Sequence, residues 1–209
     1  MAHRSKDAKT PLAVVSFTKD LFTARERDNG SKGFGCTLLF PKTVDISALH
    51  ALALEAAEGE WGEKAKQWIK DEVIKSPFLD GDGKQAINKK TGERNKGYAG
   101  HVFIRCTSGA DYKPTVVDKR KNPVVDPSGF PSGSQAYAVV NAYTWENEKN
   151  GKGISFGISL VQVVKVAQGE EVLGGGGGPD PDKWLETIDD EGDAPESTKD
   201  GAGAAGLFS

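Results

Sequence analysis

Over most of the chain apolar residues come in short runs or alternate with polar ones, the period expected of strands. Leu12 to Phe17 and Phe34 to Phe40 are apolar, β-branched or aromatic runs that predict two strands, and the charged stretch from Arg25 to Gly30 suits a hairpin loop between them. The period then changes. From Asp45, a candidate N-cap, Ile46, Leu49, Leu52, Ala53 and Ala56 recur at helical spacing. A second set, Ala65, Trp68, Ile69 and Val73, follows the breaks at Gly59 and Gly62 and stops before Pro77. A polar loop from Asp80 to Gly97 leads into three stronger strand signals, Gly100 to Cys106, Ala136 to Trp145 and Ile154 to Val166, the last two joined by a hairpin turn over Glu146 to Gly153. No βαβ rhythm is present. The pattern predicts a mainly β domain over residues 1–173, a small antiparallel barrel of five to seven strands with one helical insertion.

Alternate side chains of a strand point to opposite faces, so position along a strand sorts its residues into two sets. In 101–106, Val102, Ile104 and Cys106 form an apolar face, and His101, Phe103 and Arg105 form the other. An aromatic ring between two potential cations suits single-stranded nucleic acid, with the ring stacking a base and the charge meeting phosphate. In 136–145 the faces are Ala136, Ala138, Val140, Ala142 against Tyr137, Val139, Asn141, Tyr143, Trp145. Parity leaves open which of these meets the core. Ile154, Phe156, Ile158, Leu160, Val164 and Val166 share a face with the polar Gln162, which places Phe156 in the core.

Charge separates the chain into two parts. Residues 174–209 open with five glycines and Pro-Asp-Pro, carry nine acids against Lys183 and Lys199, and end Leu207-Phe208-Ser209, a net charge of −7. The whole chain is −3, so residues 1–173 carry +4. This predicts a flexible glycine-rich linker and disordered acidic tail on a modestly basic body, with the tail competing with a polyanion. Within the body, ten bases between Lys84 and Lys121 face Glu93, Asp111 and Asp118, a local net of +7, whereas Lys42 to Asp82 carries −4. The positive charge therefore flanks the His101–Phe103–Arg105 strand, with Tyr98 and Tyr112 interleaved, which makes nucleic acid the leading reading.

Catalytic and metal chemistry find no support in the spacing. Gly151-Lys-Gly153 lacks the glycine spacing and the Ser or Thr of a phosphate loop. Asp80-Gly-Asp82-Gly83 starts like a calcium loop, but lysine occupies the third ligand position and Thr91 the twelfth. The three histidines are not at metal spacing with cysteine or carboxylate, and Cys36 and Cys106 stand 70 residues apart, as two reduced, partly buried thiols would. No cofactor, metal or catalytic residue is predicted. No apolar run approaches 18 residues and Met1 to Thr10 is polar, so a soluble, intracellular, membrane-free protein is expected.

The strings Lys75-Ser-Pro-Phe-Leu-Asp-Gly-Asp82, Gly97-Tyr-Ala-Gly-His-Val-Phe-Ile104, Lys113-Pro-Thr-Val-Val-Asp118, Asp126-Pro-Ser-Gly-Phe-Pro-Ser-Gly133, Asn150-Gly-Lys-Gly-Ile-Ser-Phe-Gly157 and Val161-Gln162, taken in order, resemble a family of tailed-phage single-stranded DNA-binding proteins. The resemblance covers most of residues 10–174. It implies an OB-fold barrel, single-stranded DNA binding without sequence preference, and work in phage replication and recombination in the cytoplasm of an infected bacterium. It also implies an acidic tail that recruits replication proteins such as DNA polymerase or helicase/primase. Here Phe208 is penultimate, followed by Ser209. Parity and charge supply the site. Tyr98, His101, Phe103, Tyr112, Tyr137 and Tyr143 are candidates for stacking, and Lys89, Lys90, Arg94, Lys96, Arg105, Lys113, Lys119, Arg120 and Lys121 for phosphate. Asp189, Asp190, Glu191, Asp193, Leu207 and Phe208 are candidates for the tail's partner contact. A homodimer, an RNA ligand, a virion assembly role and a metal-dependent DNA-processing enzyme stand as open alternatives.

Overall fold

The computed structural model describes residues 3–26 and 30–173. Its strands are β1 (Ala8–Lys9), β2 (Ala13–Ser16), β3 (Arg25–Glu26), β4 (Lys32–Pro41), β5 (Ile74–Lys75), β6 (Leu79–Asp80), β7 (His101–Gly109), β8 (Thr115–Val117), β9 (Gln135–Asn147) and β10 (Gly151–Lys165). Two helices, α1 (Ser47–Trp61) and α2 (Lys64–Lys70), lie between β4 and β5. Strand β9 pairs with β2, β2 with β4, β4 with β7, β7 with β10, and β10 with β9 again. That closes a ring of five strands, the OB-fold-like barrel. The ring is mixed, because β10 runs parallel to β5, β7 and β8. Arg25 and Glu26, expected in a hairpin loop, pair as β3 with Gly33 and Lys32.

Strand parity decides the core. Cys36, Leu38 and Phe40 of β4, Ile104 and Cys106 of β7, and Ala136, Ala138, Val140 and Ala142 of β9 all point inward into one buried cluster. Helix α1 adds Leu49, Leu52, Ala53, Ala56 and Ala57. Alanines on both β9 and α1 let the helix sit close to the sheet, so a face of small residues is the buried one. Gly59 does not break α1, which ends at Gly62, where φ is +57°. Asp45 takes the amide of Ser47 at 2.8 Å, one residue before the structural N-cap Ile46.

On β10 the expected single face does not hold. Ile154, Phe156 and Ile158 point inward, a register shift lies between Ile158 and Leu160, and beyond it Val161 and Val163 take the inward positions. One extra residue reverses the parity of everything after it. Leu160, Gln162 and Val164 therefore lie on the outer face, half-buried, and Val166 is exposed. Cys36 and Cys106 sit directly opposite each other, buried and free. Burial pushes the Cys36 thiol up to about 12 and raises Cys106 as well.

Candidate nucleic-acid interface

The outer face of β9 carries Tyr137, Val139, Asn141, Tyr143 and Trp145, all half-buried. Tyr143 pairs with Ser155 of β10, yet its hydroxyl lies 3.0 Å from Thr107 Oγ1 on β7, one strand further. Neighbouring strands are about 4.8 Å apart. To span two such gaps the side chain must lie along the sheet, so the ring bridges β10. Beside it Gly157 makes room for Asn141, since a Cβ there would come 2.7 Å from Asn141 Oδ1. Cations accompany the rings. Lys9 Nζ sits 3.8 Å from the Tyr137 centroid, Arg4 5.7 Å from Tyr143, and Lys75 6.0 Å from Trp145. From residue 137 to 145 this row is about 27 Å long at 3.4 Å per residue.

The N-terminal segment supplies two of those cations because its backbone is added to the edge of β9. Ala8 and Lys9 pair with Val140 and Val139, and Arg4 bridges Tyr143. The Ser5 and Thr10 amides donate to the carbonyls of Ala142 and Ala138. At the Tyr137 end, Gln162 lies opposite Tyr137 and reaches the Lys119 carbonyl at 3.4 Å. Asp118 shapes the turn there by accepting from the amides of Arg120 and Asn122 at 2.7 and 2.8 Å. Hydrogen bonds from Asn122 and Arg120 hold its carboxyl below the usual carboxylate range. Lys119, Arg120 and Lys121 are exposed on that turn.

The neighbouring outer face of β4 and β7 is covered. Residues 79–98 fold back over it: β6 pairs with β7, and the Gly81 amide donates to the His101 carbonyl at 2.8 Å. A Cβ at Gly81 would collide with the Tyr98 carbonyl, so glycine permits this approach. Leu39, Ala86, Tyr98 and Phe103 form a second small core beneath the flap. Its clasp is ionic. Lys42 Nζ lies 2.8 Å from Asp80 and 2.9 Å from Asp82, and Asp82 also accepts from the Gly100 amide at 3.2 Å. The Lys42 ammonium holds both carboxyls below their ordinary value.

A family model described as the ssDNA-binding protein of Enterobacter phage Enc34 matches residues 10–194. The chain belongs to this family. Among solved structures, the fold resembles the single-stranded DNA-binding protein of bacteriophage Enc34 in a C-terminally truncated form, with TM-score 0.54, 18% identity, and 78% of this chain and 87% of that one covered. The same phage protein in complex with ssDNA gives TM-score 0.52 at 18% identity, covering 78% and 89%. The bacteriophage T7 single-stranded DNA binding protein gp2.5 gives 0.50 at 14%, covering 91% and 98%. At these identities the likeness is one of fold. No curated protein sequence matches the chain.

In this family member the structure divides the residues that parity and charge selected. Tyr137 and Tyr143 share the β9 face, and Tyr112 stands 75% exposed beside Gly109 at the end of β7. Phe103 and Tyr98 are corrections. Their exposures are 0% and 2%, and they pack edge to face at 5.0 Å under the flap, where no base can reach them. Parity places Phe103 on the outer face correctly but carries no information about the loop that covers it. His101 is half-buried with Nδ1 2.7 Å from the Ala99 carbonyl. Three of the cations are tied to structure. Arg94 donates to the Asp82 carbonyl, Arg105 to that of Gln85, and Lys96 to those of Glu170 and Val172. Lys89, Lys90 and Lys113 are exposed. The tail candidates Asp189, Asp190, Glu191, Asp193, Leu207 and Phe208 lie outside the described residues.

Arg4, Lys9, Lys75 and Trp145 lie on this face as well, beyond the candidates that parity and charge select. Trp145 had a signal, since it shares parity with Tyr137 and Tyr143. The two N-terminal cations had none, because their partners are more than 120 residues away in sequence. Among the described residues no three of His, Cys, Asp and Glu gather as a metal site, and no helix is long and apolar enough to cross a membrane.

Proposed function

We infer that this chain binds single-stranded DNA without reading its sequence, as a non-enzymatic protein of phage replication and recombination acting in the cytoplasm of the infected bacterium. The observation that carries the reading is the Tyr143 side chain, laid across β10 with Arg4 beside its ring. Stacking needs only a π-face and phosphate neutralisation needs only charge, so such a surface accepts any sequence. Family membership supports the same conclusion. Tyr143 and Tyr112 provide the rings, and Tyr137 lies under Lys9 at the far end of the row. Arg4, Lys9, Lys113, Lys119, Arg120 and Lys121 follow the phosphates, with Lys89 and Lys90 on the flap. A gel shift across a salt series, with matched single-stranded and double-stranded DNA and a single-stranded RNA, tests this. Preference for single-stranded DNA that weakens with salt is expected, and equal affinity for the duplex would refute it.

The acidic tail completes the proposal. Its charge of −7 opposes that of the body, and it competes with DNA while recruiting replication proteins. Deleting residues 174–209 should tighten DNA binding and abolish that recruitment. Unchanged affinity would argue against competition, and light scattering of both forms reads whether a homodimer exists.

A further inference from the structure

Two residues beyond Tyr143 on the same face of β9, Trp145 is held in a similar way. Its Nε1–H donates to Ser155 Oγ at 3.1 Å, and a Cβ at Gly153 would collide with the Cζ2 edge of the ring. The indole thus lies against the backbone of β10 at Gly153, in a residue that is half-buried as a whole. Lys75 of β5, in register with Gly153, places Nζ 6.0 Å from the ring centroid, too far to cap it. Tyr137 differs, because Lys9 Nζ at 3.8 Å covers its ring at contact distance. Tyr143 and Trp145 have no cation at that distance, Arg4 and Lys75 standing 5.7 and 6.0 Å from their ring centroids.

We propose that Tyr143 and Trp145 each stack one of two successive bases, that Lys75 meets the phosphate at the hairpin end, and that the pair holds the two bases apart. The proposal rests on the single-stranded DNA reading above. Residues i and i+2 of a strand are about 6.8 Å apart at 3.4 Å per residue. Bases along one strand of a duplex step by about 3.4 Å. Two neighbouring bases on these platforms therefore cannot stack on each other, and a paired duplex cannot occupy both. The strand must leave the barrel extended at the β9–β10 turn, which also sets one end of the bound length.

The full chain carrying W61F, W68F and W184F keeps Trp145 as its single tryptophan. Its emission should be quenched by saturating oligo-dT. An oligonucleotide with two adjacent 2-aminopurines, whose emission is suppressed while they stack on each other, should brighten on binding the wild-type chain. Trp145→Ala should abolish the brightening at saturation and weaken binding between about 5-fold and 150-fold, the range for one stacked base. Trp145→Tyr keeps a ring, so affinity and brightening should largely return, separating stacking from a folding defect. Lys75→Ala should lower the salt slope by about 0.7. Failure of the wild-type chain to bind oligo-dT would remove the underlying reading. Normal binding with an unquenched Trp145 and an unaffected Trp145→Ala variant would overturn this inference alone.

Discussion

Tyr143→Ala removes the ring that spans from β9 across β10 to β7. Stacking on an aromatic side chain contributes about 1–3 kcal/mol per base. At 1.4 kcal/mol per tenfold, the dissociation constant for oligo-dT should rise between about 5-fold and 150-fold. The substitution removes no charge, so the slope of log affinity against log salt should stay as it is. Arg4→Ala and Lys9→Ala should each lower that slope by about 0.7, the single-strand value per phosphate. Tyr143→Phe separates the ring from its hydroxyl. It loses the contact with Thr107 Oγ1, about 0.5–1.5 kcal/mol of stability, while retaining the stacking surface and most of the affinity. Fluorescence anisotropy with a labelled oligonucleotide across a salt series reads both quantities, and a urea titration confirms that each variant is folded. A folded Tyr143→Ala chain with wild-type affinity, or one whose slope falls while its affinity at low salt holds, would refute the platform.

Phe103→Ala empties part of the second core and should lower unfolding free energy by about 3–5 kcal/mol in a urea titration; unchanged stability with lost DNA affinity would instead make Phe103 a stacking residue. Lys119→Ala should flatten the salt slope by about 0.7 with no loss of stability, as measured in the same anisotropy series. Asp80 and Asp82 have carboxyls depressed by Lys42, so the flap clasp is complete at neutral pH. Its contribution is lost as pH falls below the ordinary carboxylate value and through the depressed ones. Hydrogen exchange at the Gly100 amide, corrected for its intrinsic pH dependence, should lose protection in that acid window, and Lys42→Ala should remove the protection already at neutral pH. Cys36 and Cys106, both raised by burial, should react with a thiol reagent only as fast as the barrel opens, so rapid labelling of the native chain would contradict their placement.

Periodicity and parity sufficed for whatever depends on local chain geometry. The five longer strand segments, the two helices after Asp45, the division of β9 into an alanine face and an aromatic face, and the charge division near residue 174 were legible, because side-chain alternation follows from backbone repeat and charge from composition. The bulge after Ile158 was not, since one inserted residue leaves the apolar count unchanged while reversing the face of all that follows. Nor was the fate of Phe103, whose burial is decided by a flap fastened through Lys42 and Gly81 rather than by its own strand. Arg94, Arg105 and Lys96 looked like free charge in the sequence, yet each donates to a backbone carbonyl brought near by folding. The sequence alone determined a basic, mainly β body with an acidic tail and strands whose aromatics share a face. Only the tertiary structure decided which aromatics face solvent and which cations stand beside them, because the first depends on a flap folded back over β7 and the second on pairings between segments distant in sequence, where no local pattern reaches.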